Sequence, residues 1–576
     1  MNILGINFLS EASAALIQDG KVIAAASEER FNRIKMFYGY PESAIKYVLE
    51  AANLRMPDID FIATTGKSPG KPDEKAYEEK REAIRESSLG QELKEHQLKK
   101  LEERHAREAL VLGERTPGNI RQLEKLGPKV IAVEHHMAHA GAAYYESGFK
   151  EATVITCDGW GENASNILCE AKNGSIEKIS YSNTFDSLGY YYGSITKHLG
   201  FKPHRHEGKI LGLAAFGNAD ATLALMRKMI GFDRERQRFI GKIEEGIYLP
   251  FFDNDNLARV FKTGQKTERE KGIFTREDIS AGLQRVLEET VTDYVKNLNL
   301  KNRNIALAGG VFANVKLNQR IRELKGVKNV FIYPNMGDGG LAVGSALLVY
   351  AEKVGLRPSR VKDVYLGPGF SDEEILGEIK KEGLAFEEHS DIEGKVAELL
   401  LENKVVARFD GRMEWGPRAL GNRSILYTPS DRTVNDWLNK RLNRTEFMPF
   451  APVSIKENAG KCYLGYKEDH IAPDFMTITY DCTDEMKRTQ PAVVHVDGTA
   501  RPQIIEKGVN KSYYTITKNY HKLAGLPSMI NTSFNMHEEP IVCTPYDAIR
   551  SFKTGHLDYL AIGKYLLKND GREELL

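Results

Sequence analysis

Two stretches in the first third of the chain share one order of strands and turns, and this repetition limits the folds open to it. The first, "ILGINF" followed by "SAALIQDGKVIAAASEER", has a buried-strand run and then two strand-like runs joined by Asp-Gly, which favours a hairpin. The second, residues 153–182, has a buried-strand run, a glycine-rich bend, and two strands joined by Asn-Gly. Gly5 precedes Gly20 by the same interval as Gly159 precedes Gly174. We therefore predict a duplicated domain.

Two later stretches each read as a strand, a glycine loop and an amphipathic helix: "RNIALAGGVFANVKLNQRIREL" and "KNVFIYPNMGDGGLAVGSALLVYAEKVG". Glycines at such a junction let backbone N–H groups approach a phosphate, and the helix N-terminus adds favourable partial charge. Gly309, Gly310, Gly337 and Gly339 are therefore predicted to bind a nucleotide. The alternative interpretation is that these glycines only turn the chain.

The chain has 576 residues, which exceeds the size of one hydrophobic core, so we predict two domains. The first is expected over residues 1–355, with a charged helical insertion at about 67–128. A linker follows over 356–395, where "GLRPSRVKDVYLGPGFSDEEI" concentrates proline, glycine and charge, and the second domain covers 396–576. The insertion is interpreted as a solvated helical hairpin or, alternatively, as a lid over a substrate pocket.

The composition is that of an ordinary globular protein, with 41% hydrophobic and 28% charged residues. Lysine plus arginine and aspartate plus glutamate both total 80, so no global charge attracts nucleic acid or an anionic membrane. The five cysteines show no CxxC spacing, which favours small buried residues in a reducing compartment. No basic leader precedes the first apolar run, and no apolar stretch is long enough to span a membrane. A soluble, cytoplasmic protein is expected.

Three histidines in "EHHMAHAGAAYYES" raise the question of a metal site. His135 and His139 are four residues apart in a helical composition, so they lie on one face, whereas His136 points elsewhere and is the doubtful member. Asp158 ends a strand of the second repeat, and Asp338 lies in the loop "NMGDGG". Two imidazoles with two carboxylates suit iron(II), manganese or zinc. The alternatives are core histidines and aspartates that serve turns or caps.

Over almost its whole length the chain resembles the NodU/CmcH family of O-carbamoyltransferases, which act in nodulation-factor and antibiotic biosynthesis. The resemblance implies an α/β protein with an N-terminal actin-like, Kae1-like domain and a C-terminal YrdC-like domain. It also implies that His135, His139, Asp158 and Asp338 bind iron(II) or a similar divalent cation. The motifs that carry it are "SEERFNRIK", "HHMAHAGAAYY", "SLGYYYGSITKHLGFKPHRHEGKILGLAAFG", "LAGGVFANVKLN", "YPNMGDGGLAVGSA", "GRMEWGPRALGNRSIL", "NRTEFMPFAPV", "HVDGTARPQII" and "INTSFNMHEEPIVCTPYDAI".

The activity that the resemblance implies has two steps. The YrdC-like domain is expected to form carbamoyladenylate from carbamoyl phosphate and ATP, with Mg²⁺. In the Kae1-like domain, a hydroxyl of a small metabolite of antibiotic, toxin or sugar type then attacks and AMP leaves. The acceptor itself is not identified by the sequence.

Adenylate formation concentrates negative charge, so its site requires guanidinium, ammonium, hydroxyl or amide groups. Arg418, Arg444, Arg501 and Ser533 are the strongest candidates, and for any single arginine the alternative is a surface ion pair. The full set of predicted nucleotide- and phosphate-binding residues adds, in the second half, Arg423, Lys440, Arg441, Asn531 and Asn535, and in the first half Asn314 of the "LAGGVFANVKLN" motif.

The general base is the weakest part of the resemblance. Many relatives carry a His-Asp pair near the first hairpin, where this sequence has Ser10 and Glu11. The replacement candidates are Glu11 and the two histidines of "KPHRHEGK", because a histidine near its ordinary pKa suits proton transfer. The predicted catalytic residues are Glu11, His204, His206, Lys209 and Arg418, where Lys209 and its neighbour Glu207 have family counterparts that line the acceptor cleft.

Two other functions use the same features. One is a tRNA threonylcarbamoyl-modification enzyme, which shares both domain types, and the other is a nucleotide-binding scaffold without catalysis. The neutral charge and the motifs "EFMPFAP" and "NTSFN" count against the first, and only the changed "SEAS" segment supports the second. The expected partner is a small hydroxylated molecule, without nucleic acid or membrane, and a homodimer is the default assembly.

Overall fold

The computed structural model describes residues 1–67, 71–242, 254–298, 304–443 and 447–569. It is a mixed α/β protein that divides into two compact units. The first unit comprises Met1–Asn7, Leu16–Lys21 and Leu54–Arg360, and the second comprises Phe8–Ala15, Val22–Asn53 and Val361–Leu576. Both units thus draw on the first 53 residues, whereas the ranges predicted from the sequence are contiguous.

The chain before residue 355 forms the strands of the two five-stranded sheets and several shorter strands. They are β1 (Asn2–Asn7), β2 (Ser13–Gln18), β3 (Lys21–Ser27), β4 (Phe61–Thr65), β5 (Lys129–Val133), β6 (Glu151–Gly161), β7 (Ala164–Lys172), β8 (Ser175–Asn183), β9 (Ile230–Asp233), β10 (Arg238–Gly241), β11 (Lys262–Thr263), β12 (Ile273–Phe274), β13 (Asn304–Ala308) and β14 (Asn329–Ile332).

The helices of the same part of the chain begin with two short ones near the N-terminus. They are α1 (Glu29–Asn32), α2 (Glu42–Ala51), α3 (Glu74–Glu86), α4 (Gln91–Leu110), α5 (Thr116–Glu124), α6 (His135–Tyr145), α7 (Leu188–His198), α8 (Glu207–Ala214), α9 (Leu223–Met226), α10 (Asn254–Val260), α11 (Arg276–Asn297), α12 (Val315–Arg322) and α13 (Leu341–Val354).

Two sheets contain the repeated strand pattern. The first has the strand order β3-β2-β1-β4-β5, and the second has the order β8-β7-β6-β13-β14. In the first, β4 pairs in parallel with β1 and β5; in the second, β13 pairs in parallel with β6 and β14, while β7 is antiparallel to β6 and β8. The turn glycines Gly20 and Gly174 have φ angles of 76° and 93°, which glycine adopts readily. The predicted hairpin turns are therefore present.

Close helix packing places the loop before α13 beside α6. A Cβ atom at Gly344 would overlap the carbonyl oxygen of Ala138 in α6, and one at Gly5 would overlap the carbonyl oxygen of Ala342. Only glycine permits these approaches, since any other side chain would separate the backbones. The packing brings the N-terminal end of α13 toward the histidines of α6.

The charged insertion is helical, as predicted, with a π-helical turn at Val111–Arg115 between α4 and α5. One face of α4 is buried, and it carries Gln97, Leu101, Arg104 and Glu108. Arg104 Nε donates to Glu108 Oε1 at 2.9 Å, and its Nη2 donates to the carbonyl oxygen of Thr184. Because charged residues on this face are buried and paired, α4 is not solvated all round as a free-standing hairpin would be.

The second unit contains the remaining elements. They are β15 (Glu387–Glu388), β16 (Val406–Phe409), β17 (Arg423–Tyr427), β18 (Ala451–Ile455), β19 (Tyr480–Asp481), β20 (Thr499–Ala500), β21 (Gln503–Ile505), β22 (Ser528–Ser533), β23 (Tyr559–Ile562) and β24 (Tyr565–Lys568), with α14 (Asp372–Lys381), α15 (Ile392–Leu401), α16 (Val434–Arg441), α17 (Lys456–Cys462), α18 (Asp484–Thr489), α19 (Lys511–Ala524) and α20 (Pro545–Thr554).

A large mixed sheet organises this unit, with the order β15-β24-β23-β16-β17-β22-β18-β21. The helices α15 and α19 cover it through a core that includes Val396, Leu400, Tyr513 and Ile516. The range predicted as a linker, 356–395, contains α14 and β15, and β15 pairs with β24 at the edge of the sheet. Much of that range is therefore part of the regular structure.

Two further expectations concern the whole chain. All five cysteines are free and buried, as the sequence predicts, and burial raises the pKa of Cys462 to about 11 and that of Cys482 to about 12. Within the described ranges, we find no helix that combines the length and the apolar character needed to cross a lipid bilayer.

Candidate functional site

Four side chains of the first unit meet at one point. His135 and His139 stand one turn apart on α6, Asp158 lies near the end of β6, and Asp338 lies in the turn that leads into α13. The His139 Nε2 atom is 3.2 Å from Asp158 Oδ2 and 3.8 Å from Asp338 Oδ1. The corresponding distances from His135 Nε2 are 3.6 and 3.7 Å. The structure thus brings together the four residues predicted as metal ligands.

The spacing of these atoms fits one divalent ion. Nitrogen and oxygen ligands at roughly 2.0–2.2 Å from a cation are about 3–4 Å from each other, and the four ligand atoms here all lie within 4.8 Å. His135 is 1% exposed, and within the described residues its Nε2 atom has no hydrogen-bond partner. A buried ring nitrogen without a partner is costly unless its lone pair meets a cation.

The charge state of the cluster also suits a cation. Burial alone would raise the pKa of the Asp158 carboxyl, but the imidazoles of His135 and His139 outweigh it and hold that pKa well below its ordinary value. A lowered pKa favours the ionised carboxylate, which is the form that binds a metal.

His136, the doubtful member of the histidine group, is a core residue. Its Nε2 atom is 3.0 Å from the carbonyl oxygen of Ala164, which only accepts, so Nε2 carries the proton and Nδ1 accepts from the Thr156 hydroxyl at 2.7 Å. Burial, with smaller contributions from His135 and His139, holds the pKa of His136 well below its ordinary value. Both ring nitrogens are occupied, so His136 is not a ligand.

An aromatic residue that the sequence analysis did not single out packs beside Asp158. Tyr190 lies in the first turn of α7, and its ring would be 3.4 Å from a Cβ atom at Gly159. The Arg104 guanidinium of the insertion lies 4.9 Å from the ring centroid, a cation–π distance. The His204 ring meets Tyr190 edge-on, with centroids 6.4 Å apart. The insertion therefore supports the wall next to the metal ligands.

One base candidate, His204, lies near the metal ligand Asp158. Although His204 is exposed as a residue, surrounding protein displaces water from its ring and lowers its pKa, while the nearby Asp158 carboxylate opposes this shift. His206 is half-buried and its Nδ1 accepts from the Lys202 N–H at 3.2 Å. Lys209 is buried in α8. Glu11 belongs to the second unit, in a turn before β2 with φ 58°.

The first glycine loop passes close to the metal ligands. A Cβ atom at Gly309, whose φ is 101°, would overlap the carbonyl oxygen of Cys157, and one at Gly310 would be 3.2 Å from Asp158 Oδ1. Asn314 instead caps α12, because its Oδ1 accepts from the Leu317 N–H at 3.0 Å and its Nδ2 donates to Gln284 Oε1 at 2.8 Å. Its side chain is thus occupied by the protein.

The second glycine loop contains a buried donor that the sequence did not reveal. A Cβ atom at Gly339 would be 2.7 Å from Asn335 Nδ2, and Gly337 opens the turn that holds Asp338. Asn335 is 3% exposed, and its Nδ2 has no hydrogen-bond partner within the described residues. An amide donor at the N-terminus of α13 suits an anion such as a phosphate.

In the second unit, Arg418 lies in a loop between β16 and β17 whose backbone is fixed by side chains. We call Gly416–Gly421 the Arg418 loop. The carbonyl oxygen of Ala419 accepts from Asn531 Nδ2 at 3.1 Å, and that of Leu420 accepts from Gln503 Nε2 at 2.8 Å and from the Tyr365 hydroxyl at 2.9 Å.

The same loop is fixed at its C-terminal end. The carbonyl oxygen of Gly421 accepts from Arg408 Nε at 2.9 Å. The buried carboxylate Oε1 of Glu414 accepts from the N–H groups of Leu420 and Asn422 at 2.7 and 2.8 Å. Half-buried Arg418 therefore stands on a rigid backbone, as a preorganised anion site requires.

Asn531 presents an acceptor, although it was predicted as a donor. Its Nδ2 donates to the carbonyl oxygen of Ala419 and to Gln503 Oε1, the latter at 2.8 Å, so the orientation of the amide is fixed. Its Oδ1 is buried and has no partner within the described residues. A ligand that donates an N–H group would satisfy this atom, and a carbamoyl group carries such donors.

Two predicted binding residues are occupied by the scaffold. Arg423 is fully buried; its Nη1 donates to the carbonyl oxygen of Asp410 at 2.8 Å, its guanidinium lies 3.7 Å from the Phe409 ring centroid, and burial lowers its pKa to about 10. Asn535 Nδ2 donates to the carbonyl oxygens of Met536 and Glu539. Neither side chain has the freedom that ligand binding requires.

The remaining candidates lie at or near the surface. Lys440 and Arg441 are exposed on α16, and Arg441 stacks on Trp437 at 4.9 Å. Arg501 and Ser533 are half-buried, with Ser533 at the end of β22. Arg444 lies outside the described residues.

Two family profiles together match most of this chain. The Carbamoyltransferase N-terminus profile matches residues 2–347, and the Carbamoyltransferase C-terminus profile matches residues 397–569. The chain is 32% identical to the uncharacterized protein MJ1051 of Methanocaldococcus jannaschii, over 98% of this chain and 99% of that protein. It is also 32% identical to the nodulation protein NolNO of Sinorhizobium fredii, over 97% of this chain and 79% of that protein.

A third relative is the nodulation protein NolO of Bradyrhizobium diazoefficiens, 31% identical over 76% of this chain and 79% of that protein. Solved structures align only weakly: full-length HypF in its phosphate- and nucleotide-bound form has a TM-score of 0.32 at 12% identity, over 62% of this chain and 56% of that one. The two profiles and the full-length relatives show that this chain is an enzyme of the carbamoyltransferase family, the NodU/CmcH family.

Proposed function

We propose that the enzyme is an ATP-dependent O-carbamoyltransferase that forms carbamoyladenylate in the second unit and uses it in the first. The observation that carries the proposal is the four-ligand cluster of His135, His139, Asp158 and Asp338, which adjoins two glycine loops. A cation site next to candidate phosphate donors is what the transfer of a group from an adenylate requires.

The proposal extends to the fold of both units. The N-terminal part of the chain is proposed to form a duplicated actin-like, Kae1-like domain, which the matching strand orders of the two five-stranded sheets support. The second unit is proposed to be YrdC-like, an assignment that rests on the resemblance of its motifs. If either fold assignment is wrong, the chain still belongs to the carbamoyltransferase family.

The first step forms the adenylate. Water first releases inorganic phosphate from carbamoyl phosphate and leaves carbamate. An oxygen of the carbamate then displaces pyrophosphate from the α-phosphorus of ATP. Arg418 would face the phosphate charge from its fixed loop, with Arg501 and Ser533 as further donors. The Oδ1 atom of Asn531 would accept from the carbamoyl NH₂, and Mg²⁺ would accompany ATP.

The second step moves the carbamoyl group to an alcohol. The acceptor oxygen bonds to the carbamoyl carbon, the bond to the adenylate phosphate oxygen breaks, and AMP leaves. His204, with its lowered pKa, would take the hydroxyl proton. Bound at the four ligands, iron(II) or a similar cation would stabilise negative charge on the leaving phosphate. The donors of the glycine loops and Asn335 would hold that phosphate.

The acceptor is proposed to be a small hydroxylated metabolite. The exposure of His204, which lies near Asp158, supports an acceptor that enters from solvent. The absence of nucleic-acid partners, a cytoplasmic location and a homodimeric assembly remain predictions from the sequence.

A half-reaction assay tests the proposal. Full-length protein is incubated with ATP, Mg²⁺ and carbamoyl phosphate, and pyrophosphate and carbamoyladenylate are measured. We expect both products, and a parallel incubation with threonine and bicarbonate in place of carbamoyl phosphate should give neither. Activity only with threonine and bicarbonate would identify a threonylcarbamoyl enzyme, and no activity with either pair would refute the adenylate route.

A further inference from the structure

One family motif, "SEERFNRIK", takes part in neither proposed step, yet it belongs to the second unit together with the Arg418 loop. The motif contains the single-turn helix α1. Within it, Arg30 is only 6% exposed, and its Nη2 donates to the carbonyl oxygen of Gly416 at 2.8 Å. An arginine from the start of the chain thus binds the first residue of the Arg418 loop.

The next residue of the motif packs against a cluster that includes a residue of the same loop. Phe31 packs against a cluster that contains Met413 and Ala419. The motif therefore binds the carbonyl of Gly416 and also packs against the cluster to which Ala419 belongs.

This bond completes the support of the loop backbone. The carbonyl oxygens of Ala419, Leu420 and Gly421 are bound by side chains from the C-terminal half, but the one at Gly416 is bound by Arg30. Gly416 has a φ of 114°, a conformation that few other residues adopt. Without its charged donor, the first residue of the loop would lose its fixed orientation.

We infer that Arg30 is a positioning residue of the adenylate-forming site, holding Gly416 so that the Arg418 guanidinium faces the phosphates. Arg30 itself touches no substrate. The inference rests on the proposed function, since it assigns a role in the adenylation step.

The test uses the full-length chain and the release of pyrophosphate from ATP and carbamoyl phosphate. In Arg30→Met, kcat for adenylation should fall about 100-fold, which is the size of effect expected from a 1 Å misplacement of a catalytic group. Arg30→Lys, which keeps a charged donor, should recover part of the rate. Millimolar guanidinium chloride should also raise the rate of Arg30→Met.

A double-mutant cycle separates positioning from general damage. If Arg30 acts through Arg418, then adding Arg30→Met to Arg418→Ala should lower the rate little further, because the loop no longer carries its guanidinium. If the rate loss of the double variant equals the product of the two single losses, Arg30 acts independently of Arg418 and the inference is wrong.

Arg33→Met is the matched control. Arg33 follows α1, and its Nη1 and Nη2 donate to the carbonyl oxygens of Ile541 and Pro540 at 2.8 and 2.7 Å. Its Nη1 also donates to the carbonyl oxygen of Arg30 at 3.4 Å, and none of these three acceptors belongs to the Arg418 loop. The Arg33→Met variant should have a Tm lowered at least as much as that of Arg30→Met, while its adenylation rate stays within about threefold of wild type.

Equal losses of rate in the two variants would reduce Arg30 to a stability residue and overturn the inference. Wild-type protein that releases no pyrophosphate would instead refute the proposed function, so the two failures are distinguishable. Should Arg30→Met not fold, the comparison of Arg30→Lys with Arg33→Lys supplies the same contrast.

Discussion

The metal-ligand cluster and the Arg418 loop are built in opposite ways. At the cluster, the ligands come from the helix α6, the strand β6 and the turn before α13, and the buried His135 Nε2 has no hydrogen-bond partner within the described residues. In the Arg418 loop, side chains from positions 30, 365, 408, 503 and 531 bind the backbone carbonyls. The first site would be completed by a cation from outside, whereas the protein itself fixes the backbone of the second.

Loss of one cluster ligand should have the largest effect. His139→Ala removes an imidazole that lies 3.2 Å from Asp158 Oδ2, so we expect cation affinity to fall by more than the roughly 100-fold seen for outer-shell changes. Carbamoyl transfer to alcohol should be abolished and adenylate formation retained. Metal content by mass spectrometry and the two half-reactions measure this, and equal loss of both steps would contradict the division of labour.

The reverse pattern is expected at the loop. Arg418→Ala leaves the backbone bonds intact but removes the guanidinium, so adenylate formation should fall about 100- to 1,000-fold, as for one removed transition-state donor. Cation content should match wild type. Pyrophosphate release measures the effect, and a retained rate would remove Arg418 from the site.

The same contrast explains what the sequence could predict. The i, i+4 spacing of His135 and His139 places both imidazoles on one face of a helix, so this half of the cluster follows from periodicity. The repeated hairpins were visible for the same reason. No local pattern reveals that Gln503 or Tyr365 binds Leu420, because those contacts depend on how distant strands pair.

Other sequence predictions depended on burial, which a motif does not show. Arg423 and Asn535 belong to promising motifs, yet their donors bind main-chain carbonyls. Asn335 and Arg104 belong to no predicted site, but the structure places the first at the N-terminus of α13 and the second on the ring of Tyr190. Residue type indicates which chemical groups are present, whereas packing determines which of those groups can still bind a ligand.

A moderate effect is expected when one support of the loop is lost. Gln503→Leu removes the donor to Leu420 and the acceptor of Asn531 Nδ2, so a buried amide loses a partner at a cost of about 1–3 kcal/mol. We expect adenylation to slow about tenfold, which corresponds to roughly 1.4 kcal/mol. Transfer from added carbamoyladenylate should keep its rate, and a loss in both assays would show that the whole fold had suffered.

A smaller effect is expected at the second donor to the same carbonyl. Tyr365→Phe removes one hydrogen bond to Leu420, but Gln503 remains, so the loss should be about 1 kcal/mol or less, and adenylation should slow by about fivefold at most. Steady-state rates of both variants measure the difference. If Tyr365→Phe slowed the reaction as much as Gln503→Leu, the two donors would not be redundant.

The smallest effect concerns acid stability at the base of the loop. Arg408, which binds Gly421 through Nε, also donates from Nη2 to Asp410 Oδ2 at 2.7 Å. The Arg408 charge lowers the pKa of the Asp410 carboxyl below its ordinary value, despite opposition from burial. A depressed carboxyl pKa means that the unfolded chain binds the proton more tightly, so this stabilisation is present above the unfolded pKa of about 3.9 and disappears as pH falls through the folded pKa.

Asp410→Asn should therefore cost about 1 kcal/mol or less near pH 7, because the pair is partly exposed, and the difference from wild type should shrink as pH falls below about 4. Urea midpoints across the acid range measure this. The metal-ligand cluster contributes to both proteins alike, so it cancels from the comparison. If the difference in urea midpoint stayed constant down to pH 3, the charge of Asp410 would not stabilise Arg408. Uncharged contacts would then account for the rigidity of the loop.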